Sequence, residues 1–315
     1  LLGQAAVQRA GLGQAFGGDR RLRRQIGEVI AAAIDPARVA VAHQVLDLFG
    51  DRAPYAGTAD APRLVYRAGD PSDADGLVLL LGRDRDGATV LAVVHPPEDD
   101  GGQQRGNLRK LAVALDDHDV DVFASAQGLA NWHAGQGFCP ACGAPTEPSE
   151  SGWTRVCTRE GRNQFPRTDP AVIMAVVDAD DRLLLARGPQ WPQGRLSVLA
   201  GFVEPGESLE AAVAREVLEE VGLVVTGATY RGNQPWPFPA SLMVGFTARA
   251  QGSELHPDAD EIVEARWLTR AEVAEEVAAG TLGLPGRLSI ARLLIEDWFG
   301  GPIDEPHPFD DPRSR

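Results

Sequence analysis

The chain has 315 residues, 43% of them hydrophobic and 24% charged, which is typical of globular proteins with room for two domains. Its formal net charge of −15 argues against a protein that binds nucleic acid mainly through the phosphate backbone, because that mode needs clustered Lys and Arg. No run approaches the roughly 18 apolar residues of a membrane span, so we expect a cytoplasmic protein without membrane contact.

The first part of the chain predicts an N-terminal α+β domain over residues 1–135. Ala-rich helical patches and Gly-rich breaks alternate over residues 1–50, for example at residues 22–34. Strand patterns start near Leu64. Two strands and then two helices follow: residues 77–81, 89–94, 108–115 and 120–134. We find no catalytic constellation in this part of the sequence.

Cysteines mark the next segment, residues 136–168. Cys139 and Cys142 form a C-x-x-C pair, and Cys157 follows fifteen residues later. This spacing is typical of a zinc ribbon, but a closed structural site needs about four ligands and the chain has only 3 cysteines. Glu160 stands where the fourth ligand would be, and His133 is a weaker substitute. The alternative is a ribbon that keeps its fold by packing, with reduced thiols and no zinc.

The second half predicts a sheet with helices on both faces. A hairpin at residues 171–177 and 183–185 is followed by a short strand at 197–200 and a helix at 209–221. Three further strands are predicted at residues 228–230, 243–248 and 262–268, and two further helices at residues 270–279 and 289–299. We therefore expect an α/β/α sandwich over residues 169–300 and a loose tail over 301–315.

The helix at residues 209–221 concentrates negative charge. Its apolar residues recur every four positions: Leu209, Val213, Val217 and Val221. Gly222 supplies the stop signal, and Glu216, Glu219 and Glu220 fall within an arc of about 100° on the side away from the apolar stripe. Like charges at this spacing repel, and a hard divalent cation would relieve the repulsion. A solvated acidic face is the alternative.

The residues around this helix form a longer pattern. Gly201 is followed by five residues, Glu207, seven residues and then Arg-Glu-Val-x-Glu-Glu-x-Gly-Leu, ending at Leu223. Chance would produce such a pattern with a probability on the order of 10⁻⁷ per starting position. The stretch resembles the Nudix box, GX5EX7REUXEEXGU with U aliphatic, and departs from it nowhere. The resemblance implies a loop–helix–loop that holds divalent metals against a diphosphate.

A second motif, Asn233-Gln-Pro-Trp-Pro-Phe-Pro-Ala-Ser241, lies beyond the box. Its prolines predict an extended backbone, and alone it would indicate a rigid linker or a ligand for a partner domain. It resembles the SQPWPFPxS motif of NADH pyrophosphatases of the NudC type, with Asn233 replacing only the leading Ser. The resemblance extends to the ribbon, the Phe-Pro-Arg-Thr-Asp-Pro run that begins at Phe165, and the last helix.

This resemblance implies roles for the metal site. Glu216 and Glu220 match metal-binding carboxylates, and Glu219 matches a further ligand or an outer partner. Glu261 matches a downstream metal-binding glutamate, and the backbone carbonyl of Ala200 matches a position that also touches metal.

The resemblance also implies substrate contacts. The motif residues would line the dinucleotide: Gln234, Pro235, Trp236, Pro237, Phe238, Pro239, Ala240 and Ser241. Phe165 and Phe202 would stack on rings of the substrate, Phe202 from the other subunit of a homodimer with shared sites. Ala291 matches a substrate-contacting position. Arg215 instead has a structural role, since it can pair with Glu219 and Glu207 and so fix the loop.

We hypothesise metal-assisted hydrolysis of the pyrophosphate in NADH, and less readily in NAD⁺, to NMN(H) and AMP. About two or three Mg²⁺ or Mn²⁺ ions would polarise the phosphoryl oxygens and activate a water, with Glu220 the first choice of base and Glu219 the second. The NAD cap of RNA presents the same pyrophosphate. The alternatives are an ADP-ribose or general nucleoside-diphosphate pyrophosphatase, and a non-catalytic NAD-sensing domain.

Overall fold

A computed structural model describes residues 43–58, 60–84, 86–97 and 103–305. These residues form two compact units. The first contains residues 43–168 together with Trp236–Ala240, and the second contains Asp169–Pro235 and the chain from Ser241 onward. The helical patch expected at residues 22–34 and most of the tail expected at 301–315 lie outside the described residues. The four-part division of the chain given above stays a prediction.

In the part of the chain that the structure describes, the first unit contains a seven-stranded mixed sheet. Its strands are β1 (His43–Phe49), β2 (Arg52–Thr58), β3 (Ala61–Leu64), β4 (Tyr66–Arg67), β5 (Leu77–Arg83), β6 (Thr89–His95) and β7 (Arg105–Asn107). The order is β3-β2-β1-β6-β5, with β4 on β1 and β7 on β2. The predicted strands β5 and β6 are confirmed. The expectation that strands start near Leu64 is wrong, because β1 already pairs in parallel with β6 along its whole length.

Two helices follow this sheet, α1 (Leu108–Leu111) and α2 (Asp117–Gly135). The helix predicted at 108–115 is shorter, because Asp116 takes the N-cap position of α2 and accepts a hydrogen bond from the Asp119 backbone N–H at 2.9 Å. Apolar residues of α2 such as Phe123 and Ala126 are fully buried. No helix in the described ranges, α2 included, combines the length and apolar content that crossing a bilayer requires.

The cysteine segment folds as a small three-stranded sheet. Its strands are β8 (Thr146–Ser149), β9 (Thr154–Cys157) and β10 (Asn163–Gln164), in the order β10-β9-β8 with antiparallel pairing. A short antiparallel sheet with cysteines on its connecting loops and strand ends is the arrangement that the spacing of the cysteines predicts.

The second unit contains a six-stranded sheet and three helices in the described residues. In chain order these are β11 (Asp169–Val177), β12 (Leu183–Arg187), β13 (Leu199–Phe202), α3 (Leu209–Val221), β14 (Val224–Trp236), β15 (Ser241–Gln251), β16 (Glu264–Leu268), α4 (Arg270–Ala278) and α5 (Ile290–Phe299). The strand order is β14-β15-β11-β12-β16, and β13 pairs with β11. The predicted hairpin β11–β12 is confirmed.

Strand β11 shows why this unit is a sandwich. Successive side chains of a strand point to opposite faces of a sheet. Val172, Met174 and Val176 pack in one core with the apolar stripe of α3. Their neighbours Ile173, Ala175 and Val177 pack in the other core with α4 and α5. The predicted α/β/α sandwich is confirmed, and among the helices of the described residues it places only α3 on the first of these faces.

Candidate active site

Helix α3 begins and ends where its sequence predicts. The Ser208 hydroxyl accepts a hydrogen bond from the Ala211 backbone N–H at 3.2 Å, which caps the N-terminus. At the other end Gly222 adopts the left-handed conformation with φ of 72°. A side chain there would meet the Cβ of His256 at 2.8 Å, so both the backbone angle and the space require glycine.

The glutamates of α3 lie in different environments. Glu216 and Glu220 are 9% and 8% exposed, whereas the side chain of Glu219 is 59% exposed. The expectation that all three lie on the side away from the apolar stripe is therefore wrong for Glu216 and Glu220. Glu216 directly precedes Val217, and Glu220 directly precedes Val221. Both glutamates therefore lie beside the apolar stripe, on the side of the helix that strand β13 covers. Only Glu219 points outward.

Gly201 of β13 explains the position of Glu216. A Cβ built on Gly201 would lie 1.9 Å from the carboxyl carbon of Glu216 and 2.0 Å from its Oε1. The carboxylate therefore packs directly on the backbone of β13, a contact that only glycine permits. The first residue of the box is glycine for this reason.

Arg215 holds the loop and the helix together. Its Nε and Nη2 donate to the two carboxylate oxygens of Glu207, both at 2.9 Å. Its Nη1 donates to Glu216 at 2.9 Å and to Glu219 at 3.0 Å, and Nη2 also donates to the carbonyl oxygen of Phe202 at 2.9 Å. The structure thus shows both ion pairs that the sequence suggests, and the Arg215 guanidinium lowers the pKa of Glu207.

Glu220 is the electrostatically strained group of the site. Its Oε2 is buried and has no hydrogen-bond partner among the described residues. Burial, together with the negative charges of Glu216 and Glu261, raises the pKa of Glu220 to about 8. Burial also raises the pKa of Glu216, although Arg215 opposes this. A buried oxygen without a donor, beside further carboxylates, fits a divalent cation that prefers oxygen ligands.

The loop that carries Glu261 is tied to the end of α3. The backbone N–H of Asp258 donates to the carbonyl oxygen of Glu220 at 3.0 Å, and that of His256 donates to Val221 at 2.9 Å. Glu261 itself is exposed. Ala200 lies in β13, paired with Ile173 of β11, one residue before the close approach at Gly201.

The residues predicted to contact substrate differ in accessibility. Phe165 and Phe202 are 62% and 61% exposed, each within its own unit, so both rings can stack on another ring. Ala291 is instead buried in the first turn of α5. The amide of Gln234 makes two hydrogen bonds within the second unit, since it donates to the Leu288 carbonyl oxygen and accepts from the Ile290 backbone N–H, both at 2.8 Å.

The sequence predicted an extended backbone along the whole Pro-rich motif, but only part of the motif is extended. Strand β14 ends at Trp236, a turn covers residues 237–240, and β15 begins at Ser241. Pro237 is buried, while Pro235 and Pro239 are exposed. The turn contacts residues Arg109 and Asn131 of the first unit, which sequence reasoning missed because neither residue belongs to a local motif.

The three cysteines converge as the ribbon predicts. The Sγ atoms of Cys139, Cys142 and Cys157 all lie within 4.8 Å of one another, and no other group of three or more candidate ligands in the described ranges is drawn together so closely. The backbone N–H of Glu160 donates to Cys157 Sγ at 3.4 Å, and such N–H donors lower the pKa of this thiol. Three thiols with a stabilised thiolate fit Zn²⁺.

The predicted fourth zinc ligand is not part of this group. The carboxylate of Glu160 pairs with the guanidinium of Arg162. The ring nitrogens of His133, the weaker substitute, contact the Gly152 carbonyl oxygen at 2.8 Å and Arg155 Nη1 at 2.9 Å. Burial lowers the pKa of His133, as expected for a histidine inside the fold.

Two protein families match this chain. Residues 167–283 match the NUDIX domain, and residues 136–165 match the NADH pyrophosphatase zinc ribbon domain. Together with the box helix these matches define the class of protein: a Nudix hydrolase that carries a zinc ribbon.

Curated relatives narrow the class. The chain is 47% identical over 233 residues to the NAD-capped RNA hydrolase NudC of Mycobacterium bovis (strain BCG / Pasteur 1173P2), covering 70% of this chain and 74% of that protein. It is 40% identical over 199 residues to the NAD-capped RNA hydrolase NUDT12 of Homo sapiens, covering 59% of this chain and 43% of that protein. The chain therefore belongs to the NudC-type family of Nudix hydrolases.

A solved structure also resembles this chain. A NUDIX hydrolase from Nitrosomonas europaea aligns with a TM-score of 0.42 and 21% identity, over 52% of this chain and 94% of that one.

Proposed function

We propose that this enzyme hydrolyses the pyrophosphate of NADH, and less readily of NAD⁺, to NMN(H) and AMP, and that it removes the NAD cap from RNA. The observation that carries the proposal is the buried carboxylate pair of Glu216 and Glu220 on the box helix. The relatives named as NAD-capped RNA hydrolases support the choice of substrate.

The chemistry requires divalent cations, which membership of the Nudix family implies. We propose about two or three Mg²⁺ or Mn²⁺ ions, held by Glu216 and Glu220 with help from Glu219, Glu261 and the carbonyl oxygen of Ala200. When bound, such ions polarise phosphoryl oxygens, neutralise developing charge and lower the pKa of a water.

The side chains of the box divide the remaining tasks. Glu220 is the first candidate for the base that accepts a proton from the attacking water, because its buried Oε2 accepts no hydrogen bond among the described residues. Glu219 is the second candidate for the base, but its carboxylate is exposed and already bonded to Arg215. Arg215 fixes the loop to the helix through its ion pair with Glu207.

Substrate recognition would rest on aromatic stacking rather than on the acidic surface. The exposed ring of Phe165 can stack on a nucleobase or on nicotinamide. We propose that Phe202 does the same across a homodimer with shared sites. The accessible motif residues would line the dinucleotide: Gln234, Pro235, Trp236, Phe238, Pro239, Ala240 and Ser241. Pro237 is buried and would support the motif.

The decisive experiment incubates the purified protein with NADH and Mn²⁺ and separates the products by chromatography. We expect NMNH and AMP in equal amounts, and no turnover by the Glu220→Gln variant. Parallel reactions contain NAD⁺, NAD-capped RNA and ADP-ribose. Intact NADH at saturating Mn²⁺ would refute the proposal, and a preference for ADP-ribose would favour a general pyrophosphatase. Tight binding of NADH without cleavage would indicate a sensor.

The ribbon is proposed to hold one zinc ion through Cys139, Cys142 and Cys157. Metal analysis of the purified protein tests this directly, because a ribbon that folds by packing alone would contain no stoichiometric zinc. The role of Glu160 as a fourth ligand and the cytoplasmic location stay predictions.

A further inference from the structure

The segment Trp236–Ala240, which contains the turn at residues 237–240, belongs to the first unit of the structure. We call this whole segment the turn. Within it, the Phe238 backbone N–H donates to the Trp236 carbonyl oxygen at 2.7 Å. Proline has no backbone N–H, so three prolines within residues 235–239 leave this segment with few donors of its own. The carbonyl oxygens of the turn must therefore find donors elsewhere.

Asn131 of helix α2 supplies these donors. Its Nδ2 donates to the carbonyl oxygen of Pro237 at 2.9 Å and to that of Pro239 at 3.1 Å. Its Oδ1 accepts from Nε2 of the buried Gln127 at 2.8 Å, which fixes the orientation of the amide. One side chain thus bonds the carbonyls on both sides of Phe238.

Arg109 of helix α1 contacts the same turn at the aromatic rings of Trp236 and Phe238. Its guanidinium carbon lies 3.8 Å from the ring centre of Phe238 and 5.1 Å from that of Trp236. The two rings meet edge to face, with centres 5.1 Å apart and planes at 73°. No ion pair or hydrogen bond engages the Arg109 guanidinium within the described residues. Its contact with the turn is therefore a cation–π interaction.

We propose that Asn131 and Arg109 are positioning residues for dinucleotide binding: they fix the turn so that the ring of Trp236 and the face of Phe238 that Arg109 leaves uncovered are held ready for the substrate. The proposal rests on the proposed function. A turn that must be ordered by the ligand binds it more weakly, since part of the binding energy is used for ordering. Loss of either residue should therefore raise KM and leave kcat nearly unchanged.

The test compares steady-state kinetics on NADH for the full-length protein and its variants. Asn131→Asp replaces the donor that faces two carbonyl oxygens by an acceptor, and we expect KM to rise roughly tenfold or more. Arg109→Met keeps the length of the stem and removes the charge, and we expect a rise of about threefold. Asn163→Asp makes the same chemical change at an exposed residue of β10 and should leave KM unchanged.

Two further measurements separate positioning from general damage. Thermal unfolding shows whether each variant folds, and calorimetric binding of NAD⁺ without divalent metal reports the dinucleotide contacts alone. Weaker binding by folded Arg109→Met and Asn131→Asp supports the proposal. If Asn131→Asp does not fold, Arg109→Met and Asn131→Ser decide the question.

The outcomes also distinguish this inference from the proposed function. A wild-type protein that leaves NADH intact refutes the proposed function. A wild-type protein that cleaves NADH, with folded variants of unchanged KM and unchanged NAD⁺ affinity, overturns only the inference. A lowered kcat at constant KM overturns it as well, because a fixed turn acts on binding.

Discussion

Replacing Glu220 by Gln should stabilise the metal-free protein at neutral pH while abolishing hydrolysis. The folded protein raises the pKa of Glu220 from 4.5 to about 8, mainly by burial and then through the charges of Glu216 and Glu261. Between these two values the folded chain keeps a proton that the unfolded chain has released. Folding stability from this group is therefore complete below pH 4.5 and falls as the pH rises toward 8.

The magnitude follows from the size of the shift. Each pH unit in this window lowers the free energy of unfolding by about 1.4 kcal/mol, so the penalty at pH 7 is about 3 kcal/mol. Glutamine occupies the same volume and carries no charge, so it avoids this term. It still leaves a buried polar atom without a partner, and we therefore expect a net gain of about 1 to 3 kcal/mol at pH 7.

Urea unfolding of the metal-free protein between pH 5 and about 8 measures this effect. The wild type should lose stability steadily across the range, and the Glu220→Gln curve should be flatter. Glu219→Gln is the matched control, because that side chain is 59% exposed and its replacement should leave the slope as in the wild type. Parallel curves for wild type and Glu220→Gln would refute the reasoning.

Three further predictions concern the supports of the site. Gly201→Ala should lower kcat/KM at least about a hundredfold and weaken Mn²⁺ affinity, since a Cβ would lie 1.9 Å from the Glu216 carboxyl carbon; kinetics against Mn²⁺ concentration check this. Arg215→Ala should destabilise the protein by about 2 to 4 kcal/mol, measured by urea unfolding, because Glu207 and Glu216 lose their shared cation. Cys142→Ser should lower the zinc content well below one ion per chain in metal analysis, while a ribbon without zinc would show no change.

Local patterns predicted the elements that depend on neighbours in the sequence. The four-residue spacing of apolar side chains and the stop signal of Gly222 predicted helix α3 with its observed ends. The pairing of Arg215 with Glu207 and Glu219 was also accessible, because helical spacing and one adjoining loop determine it. Such contacts involve few residues between the partners, so periodicity is enough to find them.

Contacts between distant elements were not accessible in this way. The burial of Glu216 depends on β13, whose pairing with β11 brings Gly201 against the helix. The hydrogen bonds of Asn131 join residues 106 and 108 positions apart in the sequence, and nothing in α2 marks this asparagine as different from a solvated one. Strand β1 was missed because its partner β6 lies more than forty positions further along.

The raised pKa of Glu220 both lowers the stability of the metal-free fold and affects how the site binds a divalent cation. Arg215 offsets part of the negative charge of the box, because it pairs with Glu207, Glu216 and Glu219. No such cation reaches Glu220 Oε2 among the described residues, and the neighbouring charges raise its pKa, as burial does.

A divalent cation that binds at Glu220 must displace the proton, so the apparent affinity of the cation should rise with pH until the pH passes about 8. Calorimetric titration with Mn²⁺ in buffers of different ionisation enthalpy counts the protons released, and Glu220→Gln should release about one fewer than the wild type. Equal proton release by the two proteins would show that Glu220 is already ionised before the metal arrives.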